Sequence, residues 1–320
     1  MHDKNFQSTI FAKLLGLSDK NALYLSEGNA KIIAGEFREG GFKMGFVMDG
    51  GVLRGFTPGP GEKNAIIPGN CTEIAAFAFQ EQERLERVVL PRTCIKIGEG
   101  AFRDCTSLSE VKMENSVKWI GREAFWGCDR LTNLKLSARL ERVEENAFGE
   151  IPWYVALWQE RRKKGKLLRR KNDFIQFGTS FYEYVGFDGA VAIPEGGTYL
   201  SEGAFRWSRS SVSAWGGRKT ESCAELNSLV IPSWCKCLGK GLFRSMEHLT
   251  TVTFLEGCEV IESECFADCV SLREVKFPGS LKRIEPMAFQ NCDKLDYAEL
   301  PTGCAAADSA FEERVRVVRE

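Results

Sequence analysis

The chain has 320 residues, 43% apolar and 27% charged, with 43 Lys and Arg against 44 Asp and Glu. That length is compatible with one or two domains, and a formal net charge of −1 excludes a global field that would steer nucleic acid or membrane toward it. No apolar run approaches the roughly 20 residues needed to span a bilayer, so no transmembrane segment is expected.

Residues 1–45 carry no clear repeat. Phe6, Ile10, Phe11, Leu14 and Leu15 follow amphipathic-helix spacing, without the continuous apolar centre of a signal peptide. We read this stretch as an N-terminal cap, a helix plus a hairpin. Gly50-Gly51 and Pro58-Gly59-Pro60-Gly61 read as hairpin turns. Val52 to Phe56 then leads to Ile66-Ile67-Pro68, and farther on Phe181 to Gly186 leads to Val191-Ala192-Ile193-Pro194. Both are expected to be hairpins that launch a repeat array.

The repeat itself is the phrase A-F-x-x-C-x-x-L. Its phenylalanines are Phe79, Phe102, Phe125, Phe148, Phe205, Phe243, Phe266, Phe289 and Phe311, mostly 23 residues apart. A fixed period in this range means a solenoid. Each unit contains an L-x-x-V-x-L segment, such as Leu108-Val111-Met113, whose alternate residues suit a strand. Pro91, Pro232, Pro278 and Pro301 end four of these strands, since proline cannot continue a ladder. An apolar anchor follows (Ile97, Ile120, Val143, Ile261 or Ile284), then the A-F segment, which we expect to be a single helical turn. No unit this small buries its own apolar face; stacking does. The expected domains are the cap at 1–49, a first array at 50–165 with a basic insertion, and a second array at 166–320.

The order Ile97-Gly98, Ala101-Phe102, Cys105, Leu108, Val111 resembles the BspA-type leucine-rich repeat family, and the resemblance covers roughly residues 50–311. It implies an α/β architecture, a right-handed β–α solenoid with parallel strands on one face and short helical turns on the other. It also implies binding and adhesion roles, often at cell surfaces. The chain as written has no export signal and so reads as cytoplasmic, whereas the resemblance points to the surface.

Ten of the 12 cysteines fall in two repeat slots: Cys105, Cys128, Cys223, Cys269 and Cys292 in one, Cys71, Cys94, Cys235, Cys258 and Cys304 in the other. We expect reduced core thiols acting as small hydrophobes. Cys235-x-Cys237 lacks the second ligand pair that a zinc site needs. No metal, cofactor or catalytic residue is expected. The two histidines, His2 and His248, occupy a terminus and a turn, and no G-x-S-x-G, P-loop or dinucleotide fingerprint occurs.

Two insertions are candidate binding sites. Arg161, Arg162, Lys163, Lys164, Lys166, Arg169, Arg170 and Lys171 put eight cations in eleven residues, after Trp153, Tyr154 and Trp158. That composition suits an acidic protein, nucleic acid or anionic lipid. Residues 206–222 hold Trp207, Arg209, Trp215 and Arg218, residue types enriched at interface hot spots. The outward strand positions Arg87, Glu110, Lys112, Asn133, Lys135, Thr251, Thr253, Glu274, Lys276, Tyr297 and Glu299 should stack in two columns. The expected role is a non-catalytic, monomeric protein-interaction scaffold that uses the strand face and the inserted Trp/Arg loops. The alternatives are a cell-surface adhesin, or a nucleic-acid or anionic-surface binder through residues 161–171.

Overall fold

The computed structural model describes residues 31–34, 45–149, 151–168, 173–186, 189–205 and 226–319. The chain divides into two compact units, Met1–Trp158 and Gln159–Glu320.

The first unit opens with antiparallel pairing of Lys31–Ala34 with Gly45–Asp49 and of Gly45–Asp49 with Val52–Thr57. Gly50 and Gly51, at φ 53° and 91°, make the tight turn between the last two, a backbone region costly for residues with a Cβ. Val52–Thr57 then starts a parallel stack with Glu73–Ile74, Lys96–Ile97, Trp119–Ile120 and Arg142–Val143. A second parallel sheet joins Asn64–Ile66, Arg87–Val89, Glu110–Lys112 and Asn133–Lys135. The launching hairpin therefore pairs Val52–Thr57 with the strand before it. Asn64–Ile66 does not pair back; it starts the second sheet, so the Pro58–Gly61 segment joins the two sheets. The second unit repeats the plan. Phe174–Phe177 pairs antiparallel with Ser180–Tyr184, which starts a parallel stack at Tyr199–Leu200. Ala190–Ala192, Ser228–Ile231, Thr251–Phe254 and Glu274–Lys276 form its longer parallel sheet.

Each coil thus gives two sides of a solenoid to strands. The third side is not helical, which corrects the expected β–α alternation. In the coil around Phe79, the Phe77, Phe79 and Glu81 amides donate to the carbonyls of Glu99, Ala101 and Arg103 on the next coil, at 2.9, 2.8 and 2.8 Å. The intervening Ala78 and Gln80 amides bond back within their own coil. The coil of Phe102 repeats this from Gly100, Phe102 and Asp104. An α-helix needs consecutive right-handed residues. Here the residues two before and two after the phenylalanine are left-handed: Phe77 and Glu81, Gly100 and Asp104, Glu123 and Gly127, Glu264 and Asp268, Met287 and Asn291. Each ordinary side chain held there costs about 1 kcal/mol. Glu123 and Glu264 carry compensation, because their carboxylates pair with Arg103 and Arg244 of the preceding coil. Among the described residues, one α-helix is present, Pro152–Leu168, with proline at the start, where its missing N–H costs nothing.

The core is a pile of identical slots. Phe56, Phe79, Phe102, Phe125 and Phe148 are fully buried, and successive ring centroids lie 4.9, 4.9, 5.3 and 6.1 Å apart. In the second unit Phe243, Phe266, Phe289 and Phe311 stack at 5.1, 5.2 and 4.9 Å. Trp153 and Tyr154, on the first turn of the helix, contact Phe148 at 5.3 and 5.9 Å. The cysteine slot after each phenylalanine has a polar use as well. Cys105, Cys128, Cys269 and Cys292 donate to the carbonyls of Phe79, Phe102, Phe243 and Phe266 at 3.0 to 3.2 Å. All eleven described cysteines are free thiols.

Candidate functional site

Two surfaces carry described residues singled out above, and the structure adds a third. The first is the outward face of the longer sheets. Register places Arg87, Glu110 and Asn133 in one column and Val89, Lys112 and Lys135 in the next. Glu110 gathers this face: Arg87 Nε lies 3.0 Å from it, Lys112 Nζ 3.6 Å, and Asn133 Nδ2 donates to it at 3.2 Å. Two cations and an amide therefore stand around one carboxylate, and Lys135 at the end of its column is exposed. At the other end of that column Ile66, beside Val89 in register, is 69% exposed. The equivalent face of the second unit reads Thr251 and Glu274 beside Thr253 and Lys276. It is close to neutral, with Lys276 3.4 Å from Glu274. Exposed pairs of this kind contribute little energy, but they hold long side chains in place.

The second surface is the helix Pro152–Leu168, which carries Arg161, Arg162, Lys163 and Lys164. Lys163 is exposed. Arg161 is committed: it lies 3.2 Å from Asp173 Oδ1 and donates to the Phe174 carbonyl at 3.2 Å. Arg169 and Arg170 lie outside the described residues, as do Trp207, Arg209, Trp215 and Arg218.

The third surface was not singled out from the sequence. It is a trough of about 310 Å³ in the first unit, lined by Arg54, Glu73, Lys96, Glu99, Trp119 and Glu144 over Ala75, Gly98 and Gly121. The floor is bare because the coils approach closely there. A Cβ on Gly98 would sit 2.6 Å from the Ala76 amide nitrogen, and one on Gly121 2.6 Å from that of Glu99. One wall is a continuous array across four coils. Lys96 Nζ lies 2.9 Å from Glu73 and 4.8 Å from the centre of the Trp119 ring. Arg142 Cζ lies 4.5 Å from that ring and Arg142 Nε donates to Glu144 at 2.9 Å. Such cation–π contacts add about 0.5–1 kcal/mol each at partly exposed sites. The signal for the trough was present in the isoleucine–glycine pairs at 97–98 and 120–121, which look like turn residues until stacking places them in one column.

Ten of the eleven described thiols are buried. Desolvation by burial pushes Cys235, Cys265 and Cys269 up, and Cys258 and Cys292 up to about 12. The exposed Cys237 is also raised, to about 11, by partial burial and then by the Glu262 carboxylate. Among the described residues no cluster of three His, Cys, Asp or Glu could hold a metal ion, and no helix is long and apolar enough to cross a membrane.

The chain is similar to known leucine-rich repeat proteins. The model of the BspA type leucine rich repeat region matches residues 62–152 and 218–316, in six copies. A leucine-rich repeat protein from Bacteroides ovatus is 21% identical with a TM-score of 0.37, covering 91% of this chain and 66% of that one. The chain thus spans slightly less than two thirds of that relative. A leucine rich cell surface protein from Faecalibacterium prausnitzii is 17% identical, TM-score 0.33, covering 88% of this chain and 89% of its own. The pneumococcal vaccine antigen PcpA is 14% identical, TM-score 0.33, covering 91% and 88%. No curated protein matches. The family match spans more than half of the 320 residues, and the chain belongs to the BspA-type leucine-rich repeat family.

Proposed function

We propose that this protein is a non-catalytic protein-interaction scaffold that binds through the outward face of its longer sheets and through the inserted Trp/Arg loop at residues 206–222. The observation that carries the reading is the pair of in-register columns Arg87/Glu110/Asn133 and Val89/Lys112/Lys135. Backbone ladders fix their spacing, and the contacts of Arg87, Lys112 and Asn133 with Glu110 hold these side chains before any partner arrives. Binding to such a face costs little ordering entropy, which favours affinity without rearrangement. A partner for this face would bring carboxylates opposite Lys112 and Lys135 and an apolar contact for the exposed Ile66. The competing reading, a nucleic-acid or anionic-surface binder through residues 161–171, loses one of its cations to Asp173 and Phe174.

The test is affinity capture from a lysate of the source organism with wild type, Lys112→Glu/Lys135→Glu, Trp207→Ala/Trp215→Ala and a charge-neutralised 161–171 segment. The expected result is a discrete protein retained by wild type and lost from the strand-face or the tryptophan variant, with affinity falling only modestly between 50 and 200 mM salt. Capture of nucleic acid or lipid, lost only from the 161–171 variant and falling steeply with salt, about 10³-fold or more, overturns the reading.

A further inference from the structure

We propose that the trough of the first unit binds an arginine side chain presented by an extended segment of a protein partner. Its charges decide the ligand class. Lys96 is paired with Glu73, Arg142 with Glu144, and Arg54 with Asp49 at 3.4 Å. Glu144 also accepts from the Arg122 amide at 3.0 Å. The carboxylate left over is Glu99, which is exposed, lines the trough and has no side-chain partner among the described residues. The uncompensated charge is negative, so the trough selects a cation and rejects an anion.

The Trp119 ring excludes the other class that an indole suggests. Lys96 and Arg142, its register neighbours on the two flanking coils, pack over it. A sugar or aromatic ligand finds no open ring to stack on. The ring nitrogen offers something else. Trp119 Nε1 is buried and has no acceptor among the described residues, so its N–H reports on any group that enters the trough its ring lines. The backbone of the floor is already used. The amides of Ala75, Gly98, Gly121 and Glu144 donate to the preceding coil at 2.8 to 2.9 Å. A partner strand cannot be added to that ladder, so the contact is made by a side chain entering the trough. The volume suits one side chain and its adjoining backbone, being at the low end for ligand sites. Arginine fits better than lysine because its planar fork engages a carboxylate through two hydrogen bonds.

This inference rests on the scaffold reading only in taking the partner to be a polypeptide, and its test is separate. The ¹⁵N-labelled full chain is titrated with the capped peptide Ala-Ala-Arg-Ala-Ala and with its Gln and Glu counterparts. The Trp119 indole N–H resonance, identified by its loss in Trp119→Phe, is the readout. The arginine peptide is expected to shift that resonance saturably, with a Kd on the order of 1 mM for so small an isolated contact. Glu99→Gln is expected to weaken binding about tenfold, as loss of a charge-assisted contact does, and Ala76→Leu, which narrows the trough, to abolish it. In both variants the other indole resonances should keep their positions, showing an intact fold. No shift with the arginine peptide, an equal shift in Glu99→Gln, or an equal shift with the Glu peptide overturns the assignment. None of those outcomes touches the strand-face reading, which the Lys112 and Lys135 variants test.

Discussion

Phe125→Ala is expected to destabilise the protein by about 3–5 kcal/mol, read as a fall in the urea midpoint. The ring is fully buried and lies between Phe102 and Phe148, nearly parallel to both at 5° and 9°. Truncation removes its own burial and two aromatic contacts of about 0.5–1.5 kcal/mol each. The cavity cannot close by local collapse, because the Phe125 amide is tied to the Ala147 carbonyl and its carbonyl accepts from Cys128, so the backbone is held at the coil spacing. Phe125→Leu should cost markedly less, since it fills most of the slot. A loss below about 1 kcal/mol for the alanine variant would mean that the coils slide together and that the stack is not rigid.

Alkaline pH is expected to weaken the second unit far more than surface charge would. Five buried thiols, Cys235, Cys258, Cys265, Cys269 and Cys292, are held protonated above their ordinary value near 9, in each case chiefly by desolvation. A raised folded-state value means that the unfolded chain loses its protons first. Stability is therefore complete below about pH 9 and falls as pH rises from there toward 12. Each thiol contributes a slope of about 1 kcal/mol per pH unit in that window, so five together remove on the order of 5 kcal/mol between about pH 9 and pH 10. Urea midpoints in reducing buffer at pH 8, 9, 10 and 11 measure this, and Cys269→Ala and Cys292→Ala should each flatten the slope by one thiol's share. A midpoint unchanged from pH 8 to 10 would show that the thiols are not sequestered from solvent as the structure places them.

Much of the fold is legible in the sequence, for a reason specific to solenoids. When one coil stacks on the next in register, every slot recurs, so the spacing of Phe79, Phe102 and Phe125 reports directly on contacts 23 residues apart. The strands, the buried cysteines and the two outward columns follow from that. The third side is not legible in the phrase itself, because A-F-x-x-C at an apolar spacing looks like a helical turn. The discriminating signal lay at the flanking offsets. Gly100, Asp104, Gly127, Asn146, Gly241, Asp268 and Asn291 all occupy left-handed positions, and Gly, Asn and Asp are the residues that tolerate them. Glu81, Glu123, Glu264 and Met287 obscured the pattern. The neighbour of each launching strand is not legible either, because a strand that pairs antiparallel on one edge and parallel on the other has the same alternation either way. The trough is not legible in the sequence because its wall is assembled from Glu73, Lys96, Trp119 and Arg142, which occur once in each of four coils, and its floor from glycines whose column appears only on stacking.

The rigid display of side chains depends on the coils being joined by backbone hydrogen bonds on all three sides, and amide hydrogen exchange tests that most directly. The Phe79, Phe102, Phe125, Phe266 and Phe289 amides donate across coils at 2.8 to 2.9 Å on the side made of turns. They are predicted to exchange as slowly as the strand amides of Val88, Val111 and Val275, by opening of the stack rather than by local fluctuation. If these phenylalanine amides exchange as fast as those of the exposed connection at Gly59 to Gly61, the third side is a set of loose loops, and the rigid scaffold proposed here does not exist.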